Sequence, residues 1–321
     1  MNFRQALWLT AKLVFASLVV GWLLKKANAK QIWSYLESTH AVPILAGLFL
    51  GVLMILIASW RWLKLLGVFG INIGWRELFC INWVGQFFMM FLPGPTGDDL
   101  TRMLYISRLA KGRVALACST VLIDRCIGLA SVFFLSIFCL PLQWPLLAVN
   151  VQTRWLDMVI IAGAAAVLIA GVLFLIAAKR DGGLVFGLAR FLPAGKLRTT
   201  LEESWSSLCG NKFILFQVFV AAVVTQFLNC AAFYCAGLAV GVSATFSHWC
   251  SFVPVVLAAN ILPVTVAGIG VREYLLVLFL GVLASTSPEQ ALAASAVAFG
   301  MMLLVSLAGG CVYLFYRQNV A

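Results

Sequence analysis

Ionisable residues capable of chemistry stand at three places in this chain. The first is Phe91-Leu-Pro-Gly-Pro-Thr-Gly-Asp-Asp-Leu-Thr-Arg102, the second Ser119-Thr-Val-Leu-Ile-Asp-Arg-Cys-Ile-Gly128 and the third Ile261-Leu-Pro-Val-Thr-Val-Ala-Gly-Ile-Gly-Val-Arg-Glu273. Each offers an arginine beside a carboxylate: Arg102 near Asp98, Arg125 beside Asp124, and Arg272 beside Glu273. A guanidinium is a planar fork of donors that suits a phosphate in two-point contact. The carboxylates would balance its charge and shape a cavity. Helix N-termini near Asp98 and Gly270 would add positive dipole ends toward an anionic headgroup.

Asp124-Arg125 lies about three turns into an apolar stretch opening at Val114. A charge at that depth costs about 2.5–3.5 kcal/mol on insertion scales, so each must be paired or face a cavity. Adjacent helical residues point in different directions, so each needs its own partner. Arg125 has Asp98, Asp99 or Glu273 available, and Asp124 has Arg102 or Arg272. Two readings stay open: a structural ion-pair network, or substrate contact by Arg102, Arg125 and Arg272. Asp99 reads as a helix cap.

The elements that must position these groups are membrane helices. The 321 residues are 63% hydrophobic and 10% charged, with mean hydropathy +1.04. An ordinary globular domain is about 25% charged. The expected fold is all-α, a polytopic integral membrane bundle in one domain over residues 1–321, with spans near 6–24, 42–66, 114–140, 156–178, 213–240 and 290–316. The Lys and Arg behind the net charge of +11, among them Arg61, Arg76 and Arg113, read as positive-inside and headgroup-facing residues, not a nucleic-acid patch. Lys25 and Lys26 argue that the first helix is an uncleaved span.

Two segments, near 78–97 and 249–284, are broken by Pro93, Gly94 and Gly97 and by Pro263, Gly268 and Gly270. Broken backbone inside a bilayer is tolerated only where protein or a wet cavity satisfies it, and paired breaks point to a transporter's site. The basic-loop bias makes the stretch near 179–212 cytoplasmic and places both termini inside. The broken segments then enter from opposite faces as re-entrant elements, which suggests an inverted repeat. Trp8, Trp22, Trp33, Trp60, Trp62 and Trp75 fit an interfacial belt. Gly47-x-x-x-Gly51 reads as a packing face, Gln226 and Asn229 as interhelical hydrogen-bonding groups, and His248 as an outer-interface residue. The nine Cys and the pair His40 and His248 have no metal-ligand or disulfide spacing, so no metal and no cofactor is expected.

The three motifs together, in this order and spacing, resemble the lysylphosphatidylglycerol synthase transmembrane-region family, the flippase-like N-terminal domain of the multiple peptide resistance factor. The resemblance implies a bacterial inner-membrane protein with re-entrant helices around a lipid-accessible cavity, and movement of aminoacylated phosphatidylglycerol between leaflets. The chain ends at Ala321 without the soluble aminoacyl-transfer domain, as a stand-alone member would, and carries Val264 and Ala267 where the family often has small polar residues or Gly.

The leading expectation is therefore a lipid or lipid-linked headgroup translocase. Arg102, Arg125 and Arg272 would hold an anionic phosphate, with Asp98, Asp124 and Glu273 balancing charge. Without a G-x-x-x-x-G-K-[ST] motif, an ion gradient or passive equilibration would drive it, not ATP directly. The rivals are a membrane-embedded glycosyl- or phosphotransferase acting on a polyprenyl phosphate, and a non-transporting envelope scaffold. Partnership with a second copy or an envelope-synthesis enzyme stays open.

Overall fold

The computed structural model describes residues 29–91, 96–110, 112–139, 206–261 and 270–320, together with 165 and 203. Among them the chain is all-helical: α1 (Ala29–Glu37), α2 (Ala41–Val68), α3 (Trp75–Phe91), α4 (Thr96–Leu109), α5 (Val114–Cys139), α6 (Lys212–Ala239), α7 (Phe246–Ile261), α8 (Val271–Ala284) and α9 (Pro288–Val320). Four of these, α2, α5, α6 and the Pro288–Phe315 part of α9, are long and apolar enough to cross a bilayer. They coincide with four of the expected spans. The expected spans 6–24 and 156–178 lie outside the described residues.

Along spanning helices α2 and α5 the exposed side chains are apolar and the charged groups Arg61, Asp124 and Arg125 are turned toward neighbouring helices, as a lipid solvent requires. Leu45, Phe49, Phe138, Phe216 and Phe315 are exposed, whereas Ser59, Thr120, Asp124, Ser131, Arg102 and Arg272 are buried.

Both broken segments are helical hairpins. α3 folds back onto α4 across residues 92–95, and α7 is followed across 262–269 by α8, which packs on it. Each hairpin has its own core. Trp62, Leu66, Leu78, Ile81 and Ile106 close the first, and Trp249, Phe252, Leu276 and Phe279 close the second.

The two halves are built alike. α2 and α6 are each 28 residues long. Each ends with a left-handed glycine, Gly70 at φ 65° and Gly241 at φ 73°. The next amides close the same cap, Ile71 N–H donating to Leu66 O at 3.0 Å and Val242 N–H to Gly237 O at 2.9 Å. A six-residue link, 69–74 and 240–245, and a hairpin follow in both halves.

The halves are also inverted. α2 and α6 pack side by side, and the His40 N–H ahead of α2 donates to Ala239 O at the end of α6 at 3.0 Å. At the other end, Leu215 of α6 packs on the core that holds Trp62 and Leu66 of α2. The hairpins consequently occupy opposite ends of α5: Ala117 and Val121 belong to the first core, Leu135 and Cys139 to the second. Those positions are separated by about 20 Å along the helix.

Close backbone approach locks α9 onto the first hairpin. A Cβ on Gly309 would lie 2.3 Å from Trp83 O, and Trp83 Nε1–H donates to Val305 O at 2.8 Å. Gly47 and Gly51 face Met301 and Val305 of α9, so the expected small-residue face does pack a helix.

Candidate functional site

The first hairpin carries a buried cluster of alternating charge. α5 presents Asp124 and Arg125 about 15 Å from its start, deep in an apolar helix. Arg61 of α2 donates from Nε and Nη2 to the two oxygens of Asp124, at 2.6 and 3.0 Å. Arg102 of α4 donates from Nη1 to Asp124 Oδ2 at 3.0 Å. Arg125 turns the other way and donates from Nε to both oxygens of Asp99 at 2.8 Å. Three arginines and three aspartates thus join α2, α4 and α5 with no net formal charge.

Asp98 and Arg102 depart from this saturation. Asp98 stands between Arg125 Nη2 at 3.6 Å and Arg102 Nη1 at 4.0 Å, and its carboxylate accepts no hydrogen bond among the described residues. It rests on Gly85 of α3, where a Cβ would meet Asp98 Oδ1 at 2.1 Å. The Arg102 guanidinium stacks 4.2 Å from the Trp62 ring, which Trp62 Nε1–H fixes by donating to Thr120 Oγ at 2.9 Å. Arg102 is 5% exposed, yet its Nε and Nη2 have no hydrogen-bond partner among the described residues. A buried donor without a partner costs about 1–3 kcal/mol, more when charged.

Arg272 and Glu273 form a second, separate centre on α8. Arg272 pairs with Glu273 and donates from Nε to Ser295 Oγ of α9 at 3.1 Å; Ser295 Oγ donates to Glu273 Oε1 at 2.9 Å. Phe299 lies under the guanidinium at 5.1 Å. The other Glu273 oxygen accepts the Gly270 N–H at 2.6 Å, capping α8 where Gly270 takes φ 96°. Among the described residues no ion pair links this centre to the first.

Of the sequence-derived site residues, Asp98, Arg102, Asp124 and Arg125 therefore come together, while Arg272 and Glu273 stand apart in the opposite hairpin. Asp124 takes Arg102, one of its two expected partners, and Arg125 takes the Asp98–Asp99 side. Asp99, read as a cap, lies in the first turn of α4 and holds Arg125. Gly97 lies within the first turn of α4, where its carbonyl accepts Thr101 Oγ at 2.8 Å, so the helix starts two residues before the expected Asp98. Pro93, Gly94, Pro263 and Gly268 lie outside the described residues.

Two readings need correction. Arg61 was assigned to the headgroup region and is instead buried at the heart of the cluster. Trp62 was placed in the interfacial belt but is fully buried beneath Arg102. The signal for Arg61 was present: it lies inside the apolar stretch expected to span at 42–66, where a charge requires a partner. Gln226 does reach across helices, donating to Ser131 Oγ at 3.4 Å, but Asn229 bonds within its own helix to Thr225 O.

Inverted helical halves, lipid-facing apolar helices and a buried charge cluster define a multi-pass α-helical membrane protein. The chain belongs to the lysylphosphatidylglycerol synthase TM region family, whose profile matches residues 9–310. No curated protein matches the chain. Membership associates it with membrane lipids.

Proposed function

We propose that the protein moves a phosphate-bearing anionic lipid, or lipid-linked headgroup, between the leaflets of a bacterial inner membrane, with its termini in the cytoplasm. The observation carrying this reading is the pair of unpartnered N–H groups on buried Arg102. A phosphate oxygen would satisfy both in the two-point geometry that arginine favours. Arg125, the most exposed cation of the cluster at 32% of its side chain, is suited to guide a headgroup toward Arg102. The inverted halves support alternating access, in which one repeat rocks against the other around a central site. On this reading the hairpins are re-entrant from opposite faces. Arg272 then serves as the corresponding station in the second half and not as a third ligand to the same phosphate.

The test is reconstitution in phosphatidylcholine vesicles containing either fluorescent phosphatidylglycerol or a fluorescent polyprenyl phosphate. Protein-dependent protection of one probe from an external quencher, lost in Arg102→Gln, supports the reading and identifies the lipid class. Equal movement by wild type and Arg102→Gln would remove the site assignment. Turnover of the polyprenyl phosphate to a covalent product, without movement, would favour a transferase.

A further inference from the structure

Among the described residues Asp98 has no hydrogen bond, although only 14% of its side chain is exposed. A carboxylate taken from water into such surroundings requires donors, and its nearest cationic nitrogens stand off at 3.6 and 4.0 Å. Both neighbouring cations are engaged elsewhere, Arg125 by Asp99 and Arg102 by Asp124. Gly85 of α3 brings no charge and no polar side chain to the contact. Asp98 thus faces Arg102 and Asp99 on its own helix and Asp124 and Arg125 on α5, with Arg61 of α2 behind Asp124. Of the three aspartates it alone is not hydrogen-bonded by an arginine.

Charge balance supplies the second half of the argument. The cluster of three arginines and three aspartates is neutral, and a phosphodiester at the Arg102 donors would leave one uncompensated negative charge in an apolar protein. The nearest remedy is a proton on Asp98, beside the same guanidinium. Protonation also supplies an O–H that can donate to the incoming oxyanion.

We infer that Asp98 is a proton-binding site coupled to the anion site at Arg102, so that one proton and one phosphate headgroup occupy the cluster together. This rests on the translocase reading and gives it an energy source. The proton comes from the aqueous phase on the loading side and leaves to the opposite phase with the headgroup. The carboxylate only gains and loses that proton, and no other bond changes. Net movement would follow a pH gradient, acid side to alkaline side.

The experiment uses the same phosphatidylcholine vesicles with either fluorescent phosphate lipid, a pH-sensitive dye inside, and an imposed pH gradient. Wild type is expected to carry the probe faster as the loading side is acidified, about tenfold per pH unit above the midpoint. Internal acidification should accompany the lipid. Asp98→Asn should lose both the pH dependence and the proton movement, whatever rate of lipid movement remains; Asp98→Glu should retain both. Infrared difference spectra of the detergent-solubilised protein provide a reading independent of transport. A protonated-carboxyl band appearing on acidification should be absent in Asp98→Asn. Lipid movement that is indifferent to pH, with no proton flux, overturns the coupling and leaves the translocase standing. The same infrared band in Asp98→Asn also overturns the coupling. No lipid movement by wild type at any pH overturns both.

Discussion

Arg61 and Asp124 meet in a two-point ion pair, Nε to Oδ1 at 2.6 Å and Nη2 to Oδ2 at 3.0 Å, that joins α2 to α5 beneath the first hairpin. Asp124 also receives Arg102, so one buried carboxylate serves two guanidiniums. This inequality fixes an order of stabilities. Asp124→Ala strands two buried cations and should cost about 3–5 kcal/mol. Arg61→Leu leaves Asp124 paired with Arg102 and fills space with apolar atoms, so its cost should be clearly smaller. Unfolding in mild detergent, followed by helical signal, measures both. An Arg61→Leu loss as large as that of Asp124→Ala would show that the pairing is not shared in this way.

Gly85 sets where Asp98 can lie. Exchanging Gly for Ala within a helix ordinarily favours the helix by about 1 kcal/mol. At Gly85, however, the new methyl would overlap Asp98 Oδ1, and α3 or Asp98 must give way. Gly85→Ala should therefore lower lipid movement several-fold and forfeit the helix-propensity gain. Gly128→Ala in α5 is the control, because a Cβ there meets nothing within 4 Å. It should raise stability and leave transport alone. Equal behaviour of the two variants would mean that Asp98 has no fixed seat.

Arg125 and Arg272 separate stability from transport. The Arg125 side chain is 32% exposed, the least buried cation of the cluster, and it is not paired with Asp124. Arg125→Ala should thus cost less stability than Asp124→Ala while moving lipid slowly. Arg272 is buried with Glu273 and Ser295, so Arg272→Ala leaves a carboxylate without its cation and should lower stability as well as transport. A folded, fully active Arg125→Ala protein would exclude that residue from the headgroup path.

Much of this arrangement was legible in the sequence because hydrocarbon imposes strict rules. A run such as 114–139 can only be a span, and Asp124 within it must have a partner, which left a short list that contained Arg102. The Pro-Gly break likewise marked where one helix had to end and the next begin, as α3 and α4 do at Phe91 and Thr96. What could not be read was which helix supplies the remaining charge. Arg61 sits near the end of its apolar run, where snorkelling to the headgroups is equally compatible with the pattern. Only the packing of α2 against α5 turns it inward. The separation of Arg272 from Arg102 was hidden for the same reason: similar motifs imply similar local geometry, not a shared site. The repeat itself leaves little trace in residue identity. It survives in helix length and in the paired glycine caps at Gly70 and Gly241.

The inversion of the halves makes a topological prediction that needs no substrate. Asn72 and Ser243 occupy equivalent exposed positions in the links after α2 and α6, two residues beyond the capping glycines. Because α2 and α6 are antiparallel spans, these links must open on opposite sides of the membrane. Single cysteines at the two positions, in a background lacking the nine native ones, would be probed with a membrane-impermeant maleimide on intact spheroplasts and on inverted vesicles. Asn72→Cys should label only in inverted vesicles, since it lies between Lys64 and Arg76, which the positive-inside bias places toward the cytoplasm. Ser243→Cys should label only in spheroplasts. Labelling of both from one face would contradict the antiparallel spans, and with them the alternating-access mechanism. The converse pattern, each site labelling from the other face, would keep the inversion and reverse the orientation of both hairpins relative to the membrane.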